Sequence, residues 1–218
     1  MNVKNRKIRT AGAAACAIGL AVAGCAAMQE SEGSGDRAEQ EAVALMKQDF
    51  KPHGQATLDR LDQDPLQKAC TRYGEAGGKV PEAEARSMER GQLETIRYPA
   101  DDRYLGDWKA GEQVAQKGNG KQWSDDPASP GGGNCYACHQ LSKQELSYGT
   151  IGPSLYRFGR TRGFGPDMQK YVYAKIYNSQ AFAACSSMPR FGYHGILTEK
   201  QIKDVVALLL DPNSPVNQ

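Results

Sequence analysis

The segment Cys135-Tyr136-Ala137-Cys138-His139 sets two thiols and an imidazole in the spacing C-x-x-C-H. Thiols add to unsaturated carbon and imidazoles bind transition metals; this spacing is the attachment signature of a c-type haem. Each thiol would add to one haem vinyl group, and the adjacent imidazole would bind the iron from one side. Two other chemistries use a C-x-x-C pair. A structural zinc needs four ligands, but the next histidine is His194, and no second C-x-x-C or H-x-x-x-H is present. A thioredoxin-like dithiol needs a βαβ pattern around it, and the flanks show none. The motif therefore predicts one covalent haem c, held by Cys135 and Cys138, with His139 as an axial ligand.

An iron bound by His139 takes a second ligand from elsewhere in the chain. Met188, in Ser186-Ser187-Met188-Pro189-Arg190-Phe191-Gly192, is the preferred candidate. It lies in a loop before the last helix, and Pro189 stiffens the backbone beside it. A Met/His pair raises the reduction potential and leaves no open position, which suits electron transfer. Met168 falls inside a helical pattern and reads as core. His194 and Cys185 are close enough in sequence to compete. His53 reads as a solvent-facing side chain. No paired carboxylates, Ser/His/Asp set or phosphate loop stands out.

The N-terminus carries Lys4, Arg6, Lys7 and Arg9 before an apolar run from Ala11 to Ala23. This is the layout of an export signal and is too short for a membrane span. Val22-Ala23-Gly24-Cys25 resembles a lipoprotein box, in which Cys25 becomes the lipidated first residue. An ordinary signal cleaved near Ala27 is the alternative. Export to a periplasmic, oxidising compartment agrees with covalent haem attachment and also bears on the six cysteines. Cys16 leaves with the signal, Cys135 and Cys138 hold haem, and Cys25 would hold lipid. Cys70 and Cys185 remain, as a disulfide or as two separate buried thiols. Processing also alters the charge. Loss of residues 1–24 turns 27 Lys+Arg against 25 Asp+Glu into 23 against 25, so +2 becomes −2. No nucleic-acid footprint is visible.

These groups must be positioned by helices, since no β pattern is persuasive and no repeat is present. Glu30 to Asp36 reads as a polar tether. Ala38 to Phe50 has Ala42, Leu45, Met46 and Phe50 at helical spacing, and Thr57 to Leu61 allows a further turn or two. Pro65 suits a first helical position, with Leu66, Ala69 and Tyr73 on one face. Pro81 to Ile96 reads as an exposed helix. Trp108 to Lys117 reads as another, with Gly111, Val114 and Ala115 closely packed. Lys117 to Asn134 is a loop. Met168, Tyr171, Val172, Lys175 and Ile176 mark a helix over Pro166 to Asn178. Thr198-x-x-Gln201 is a capping box ahead of Ile202, Val205, Val206 and Leu209. The expected organisation is a lipoprotein-type signal over 1–24, a tether and helical extension over 25–100, and a monohaem domain over 101–218. The extension has too few large apolar residues for a core of its own and should pack on the haem domain or a partner. The fold class is all-α.

The motif, the Met loop and the final helix together resemble class I cytochromes c. In that class the Pro of a Gly-Pro-x-Leu segment lends its carbonyl to the free imidazole N–H. The resemblance assigns this role to Pro153, in Gly152-Pro153-Ser154-Leu155, and lays Leu155 over the haem face. Arg160 is a weaker candidate to pair with a haem propionate.

From Gly111 onward the chain more specifically resembles the SoxX family, the monohaem subunits of the SoxAX sulfur-oxidation complex. The carriers are Gly131 to His139, Gly149-Thr150-Ile151-Gly152-Pro153-Ser154-Leu155, Met188-Pro189-Arg190-Phe191-Gly192, the helix Leu197 to Leu210, and the ending Asp211-Pro212-Asn213-Ser214-Pro215-Val216-Asn217. The resemblance implies a partner of SoxA type, whose complex couples thiosulfate oxidatively to a cysteine of the SoxY carrier. This chain would accept electrons and pass them to a soluble cytochrome c, with no bond chemistry of its own. The lipoprotein box departs from a freely soluble subunit. A free electron shuttle, a cytochrome subunit of another dehydrogenase, and a ligand-binding or peroxidatic haem protein are the other readings.

Overall fold

The structure, a computed structural model, describes residues 37–218. The predicted signal over 1–24, Cys25 and the predicted tether lie outside the described residues. The chain divides into a unit ending at Lys51 and a unit of Pro52–Gln218. In the first, a helix (α1) runs over 37–49, and its expected apolar stripe of Leu45, Met46 and Phe50 is exposed. Among the described residues no helix is long and apolar enough to cross a membrane.

The second unit is all-helical, and no strand occurs among its residues. Its helices are α2 (Pro65–Glu75), α3 (Glu82–Leu93), α4 (Trp108–Gln116), α5 (Phe158–Arg162), α6 (Pro166–Tyr177) and α7 (Glu199–Leu210), with single 3-10 turns at Leu58–Leu61, Cys135–Ala137, Ser179–Ala181 and Pro215–Asn217. Residues 52–100, read from sequence as part of an extension, share this compact unit with 101–218.

Local chemistry explains most of the boundaries. Asp64 caps α2: its carboxylate accepts from the Gln67 amide, the Gln67 side chain reaches back, and Pro65 takes the first helical position. Thr198 and Gln201 form the same box at α7. The third helix stops at Leu93, short of the expected Ile96. The Thr95 hydroxyl donates to the Gln92 carbonyl and the chain tightens into i→i+3 bonds, a local bond that competes with helix. This turn drives Ile96 inward against Ala174 and Ala181. Helix α5 was not expected. It is only five residues long, too short to show a periodicity, and the Asn217 side chain holds its first amides.

Helices α4 and α7 cross at the centre of the core. A Cβ on Gly111 would lie 2.1 Å from the Asp204 carbonyl oxygen, so only glycine permits this approach. Helix α7 buries Ile202, Val205, Val206, Leu208 and Leu209, and Tyr173 and Val172 of α6 close the core from one side. Asp204 is buried, but its two oxygens are used by the Asp107 amide (2.9 Å) and Lys200 (2.7 Å). A buried carboxylate needs such partners. The chain end is part of this core. Asn217 donates to the carbonyls of Leu209 (3.1 Å) and Asp211 (2.9 Å), and Ser214 donates to that of Leu208.

Candidate functional site

The C-x-x-C-H segment leaves the end of α4 through two backbone bonds, Gly133 N to Val114 O (2.8 Å) and Asn134 N to Lys117 O (2.8 Å). Asn134 takes the left-handed conformation (φ 45°), which asparagine tolerates. The chain then coils into the 3-10 turn Cys135–Ala137, and the Cys138 and His139 amides both donate to Cys135 O. The turn sets both thiols and the imidazole on one short stretch. Tyr136 points the other way, into the core, where its hydroxyl donates to Glu112 (3.0 Å).

Residues 149–155 lie along this turn. Gly149 N donates to Tyr136 O, Gly152 N to Cys138 O and Leu155 N to Gln140 O, at 2.7–2.9 Å. Two glycines make the approach possible. A Cβ on Gly149 would fall 1.8 Å from Ala137 O, and one on Gly152 would fall 2.1 Å from Cε1 of His139. His139 Nδ1 lies 2.7 Å from the Pro153 carbonyl oxygen. A carbonyl only accepts, so Nδ1 is the donor of this bond. Pro153 therefore has the hydrogen-bonding position expected of it. Ser154 adds a bond from its hydroxyl to the Gln140 side chain (2.9 Å).

Cys135 and Cys138 are free thiols. Desolvation pushes the Cys135 thiol up to about 12. Among the described residues no cluster of three or more His, Cys, Asp or Glu side chains is placed to hold a metal ion.

Cys135, Leu155, Phe158, Met168, Met188 and Ile196 pack against the core yet remain only partly buried. The loop carrying Met188 is fixed from several sides. Ser179 donates its hydroxyl to the Met188 carbonyl and Ser186 accepts from the Met188 amide (3.3 Å). The amides of Gly192 and Tyr193 both donate to Tyr177 O.

The competing ligand candidates have other surroundings. Cys185 is bonded to Cys70 in a disulfide with a Cα–Cα distance of 5.6 Å, which removes it as a thiolate ligand. His194 is exposed and set edge-on to Tyr193. Desolvation by its neighbours and the adjacent Arg190 hold its pKa below the usual histidine value. His53 is exposed, edge-on to Trp123. Arg160 sends Nε to the Asn217 carbonyl, so it serves the chain end. The sequence reading missed the residues that fix the Met188 loop: Asp64, Glu89, Gln92, Asn178 and Ser179. Of these only Asp64 carried a local signal, as the first residue of Asp-Pro-x-Gln.

The chain matches no protein-family profile. A protein of Aquifex aeolicus (strain VF5) described as an uncharacterized lipoprotein is 40% identical over 160 residues, which span 72% of this chain and 73% of the relative. The present chain belongs to the same family as that lipoprotein.

Proposed function

We propose that the protein is a lipid-anchored monohaem c-type cytochrome that carries electrons. The observation that carries this reading is the state of His139: its Nδ1 proton is held by the Pro153 carbonyl at 2.7 Å, directly after two free thiols at the attachment spacing. That bond orients the ring and raises the basicity of Nε2, as second-sphere partners of ligating histidines do. The donor set suits haem c. Cys135 and Cys138 would form the thioethers, His139 Nε2 and the Met188 sulfur would bind iron, and Leu155 would cover one face. When bound, haem supplies one-electron chemistry at iron. Around it, the half-buried apolar side chains would exclude water, and closure by Met188 would keep small ligands from the metal.

Lipid attachment at Cys25 is supported by the Val22-Ala23-Gly24-Cys25 segment and by the description of the Aquifex relative. Two acyl signals give stable membrane attachment where one chain does not. The narrower reading, electron acceptor in a SoxAX-type complex acting with SoxY and a soluble cytochrome c, rests on the resemblance alone. In its distinctive ending Ser214, Val216 and Asn217 are buried, and Ser214 and Asn217 bond to α7 and α5, so this sequence also serves the fold.

The test is expression of the full chain in a host that exports and haem-loads cytochromes. The mature protein should carry the mass of one haem and, when oxidised, the absorption band of sulfur–iron ligation. Met188→Ala should lose the band and, once reduced, bind CO. Cys25→Ala should move the protein from membranes to the soluble fraction. Mature protein without haem mass would sink the proposal. Coexpression with a SoxA-like subunit tests the narrower reading, which predicts a stable heterodimer.

A further inference from the structure

The loop between α6 and α7 carries Met188 and, besides its bonds to Tyr177 at the end of α6, is tied to α2 and α3. Ahead of Met188, the Ala184 amide donates to Oε1 of Glu89 in α3 (3.0 Å), and Cys185 is bonded to Cys70 in α2. Beyond it, Arg190 is 4% exposed and donates from Nη2 to Oδ2 of Asp64, the cap of α2, at 2.6 Å. The Arg190 guanidinium also lies over the Tyr193 ring. At the base of the loop, the buried Asn178 side chain donates to Gln92 Oε1 and Thr95 Oγ1, both at 2.9 Å. The loop is therefore held on both sides of Met188 by a segment remote in sequence.

We propose that α2 and α3 form a clamp that presets Met188 against iron, with Asp64, Glu89 and Arg190 as positioning residues. The inference rests on Met188 being the second axial ligand. A thioether is a neutral, soft donor on a flexible three-bond side chain. Its occupancy of the metal depends on how little freedom the loop loses on binding, and preorganisation supplies that. Two features argue for positioning beyond general packing. The ties of Ala184, Cys185 and Arg190 fall within four residues of Met188, and the pair Asp64–Arg190 places a charge at a buried site where an apolar side chain would pack with no desolvation cost.

The experiment uses the full haem-loaded chain. Asp64→Asn removes the counter-ion of Arg190. It should lower the sulfur–iron band of the oxidised form at unchanged haem content. It should also raise the open fraction of the sixth position, and with it CO uptake by the reduced form, roughly tenfold. Glu89→Gln, which keeps an oxygen acceptor for the Ala184 amide, should behave as wild type. An Asp64→Asn protein that keeps haem and helix content, the full band and wild-type exclusion of CO would overturn the proposal. If that variant fails to accumulate, Cys70→Ser combined with Cys185→Ser carries the same readouts without stranding a charge. An unchanged band and excluded CO overturn the proposal there too. A wild type that carries haem but lacks the band would refute the assignment of Met188 itself, and is seen before any variant is made.

Discussion

At Gly152 a single hydrogen side chain lets the backbone lie flat on the His139 ring, with Pro153 placed to accept the ring proton. Gly152→Ala sets a Cβ 2.1 Å from Cε1 of His139. The ring must tilt or the 149–155 strand of chain must retreat, and either change strains the Nδ1–Pro153 bond. Overpacking of this kind costs about 1–3 kcal/mol. Denaturant unfolding should show that loss together with a shifted visible spectrum. Wild-type stability and spectrum would mean that the contact is unimportant. Cys135, Cys138 and His139 are legible as residue types at a spacing. The need for glycine at 149 and 152 was not, because it comes from one segment touching another.

The second helix shows how an element ties local chemistry to the rest of the unit. Its cap, Asp64, serves the Gln67 amide with one carboxylate oxygen and Arg190 with the other. Partial burial alone would raise the carboxyl pKa, but the Gln67 amide and Arg190 outweigh it and hold the pKa below the usual carboxylate range. The sign follows from linkage. A group whose folded pKa is depressed binds its proton less readily folded than unfolded. Its contribution is present above the unfolded value, near ~3.9, and is lost as pH falls through the folded value. Stability should therefore fall on acidification from about pH 5 downward, and the acid limb should be shallower in Asp64→Asn. Parallel acid limbs in urea titrations would rule out this role for the carboxylate. The capping boxes at Asp64 and Thr198 are short-range patterns and could be read directly. The five residues of α5 could not, since their cap comes from Asn217 at the far end of the chain.

Across the whole unit, the disulfide Cys70–Cys185 spans 115 residues and encloses the C-x-x-C-H segment, α4, α5 and α6. Closing a loop of that length in the unfolded chain contributes about 3–5 kcal/mol on chain-entropy grounds. Cys70→Ser combined with Cys185→Ser should lower the denaturation midpoint by a corresponding amount without changing haem content. A midpoint within error of wild type would show that the unfolded chain is not appreciably constrained by the bond. The organisation expected from sequence set 25–100, poor in large apolar residues, as an extension that should pack on 101–218 or on a partner. The actual unit begins at Pro52: Leu66, Ala69 and Ile96 are buried within it, and polar ties such as Asp64–Arg190 and Glu89–Ala184 secure the rest. Hydrophobic counting is blind to such ties.

Residue identity and short spacing alone established the thiol–thiol–imidazole motif, the helical class and the capping box at Thr198, and left Cys70 and Cys185 as a disulfide or two separate thiols. Each depends on neighbours a few positions apart, or on a count. Which helix meets which, why residues 111, 149 and 152 must be glycine, and how a remote segment grips the Met188 loop were decided by tertiary structure. Those are contacts between residues tens of positions apart, and their energies exist only once the chain has brought the two surfaces together.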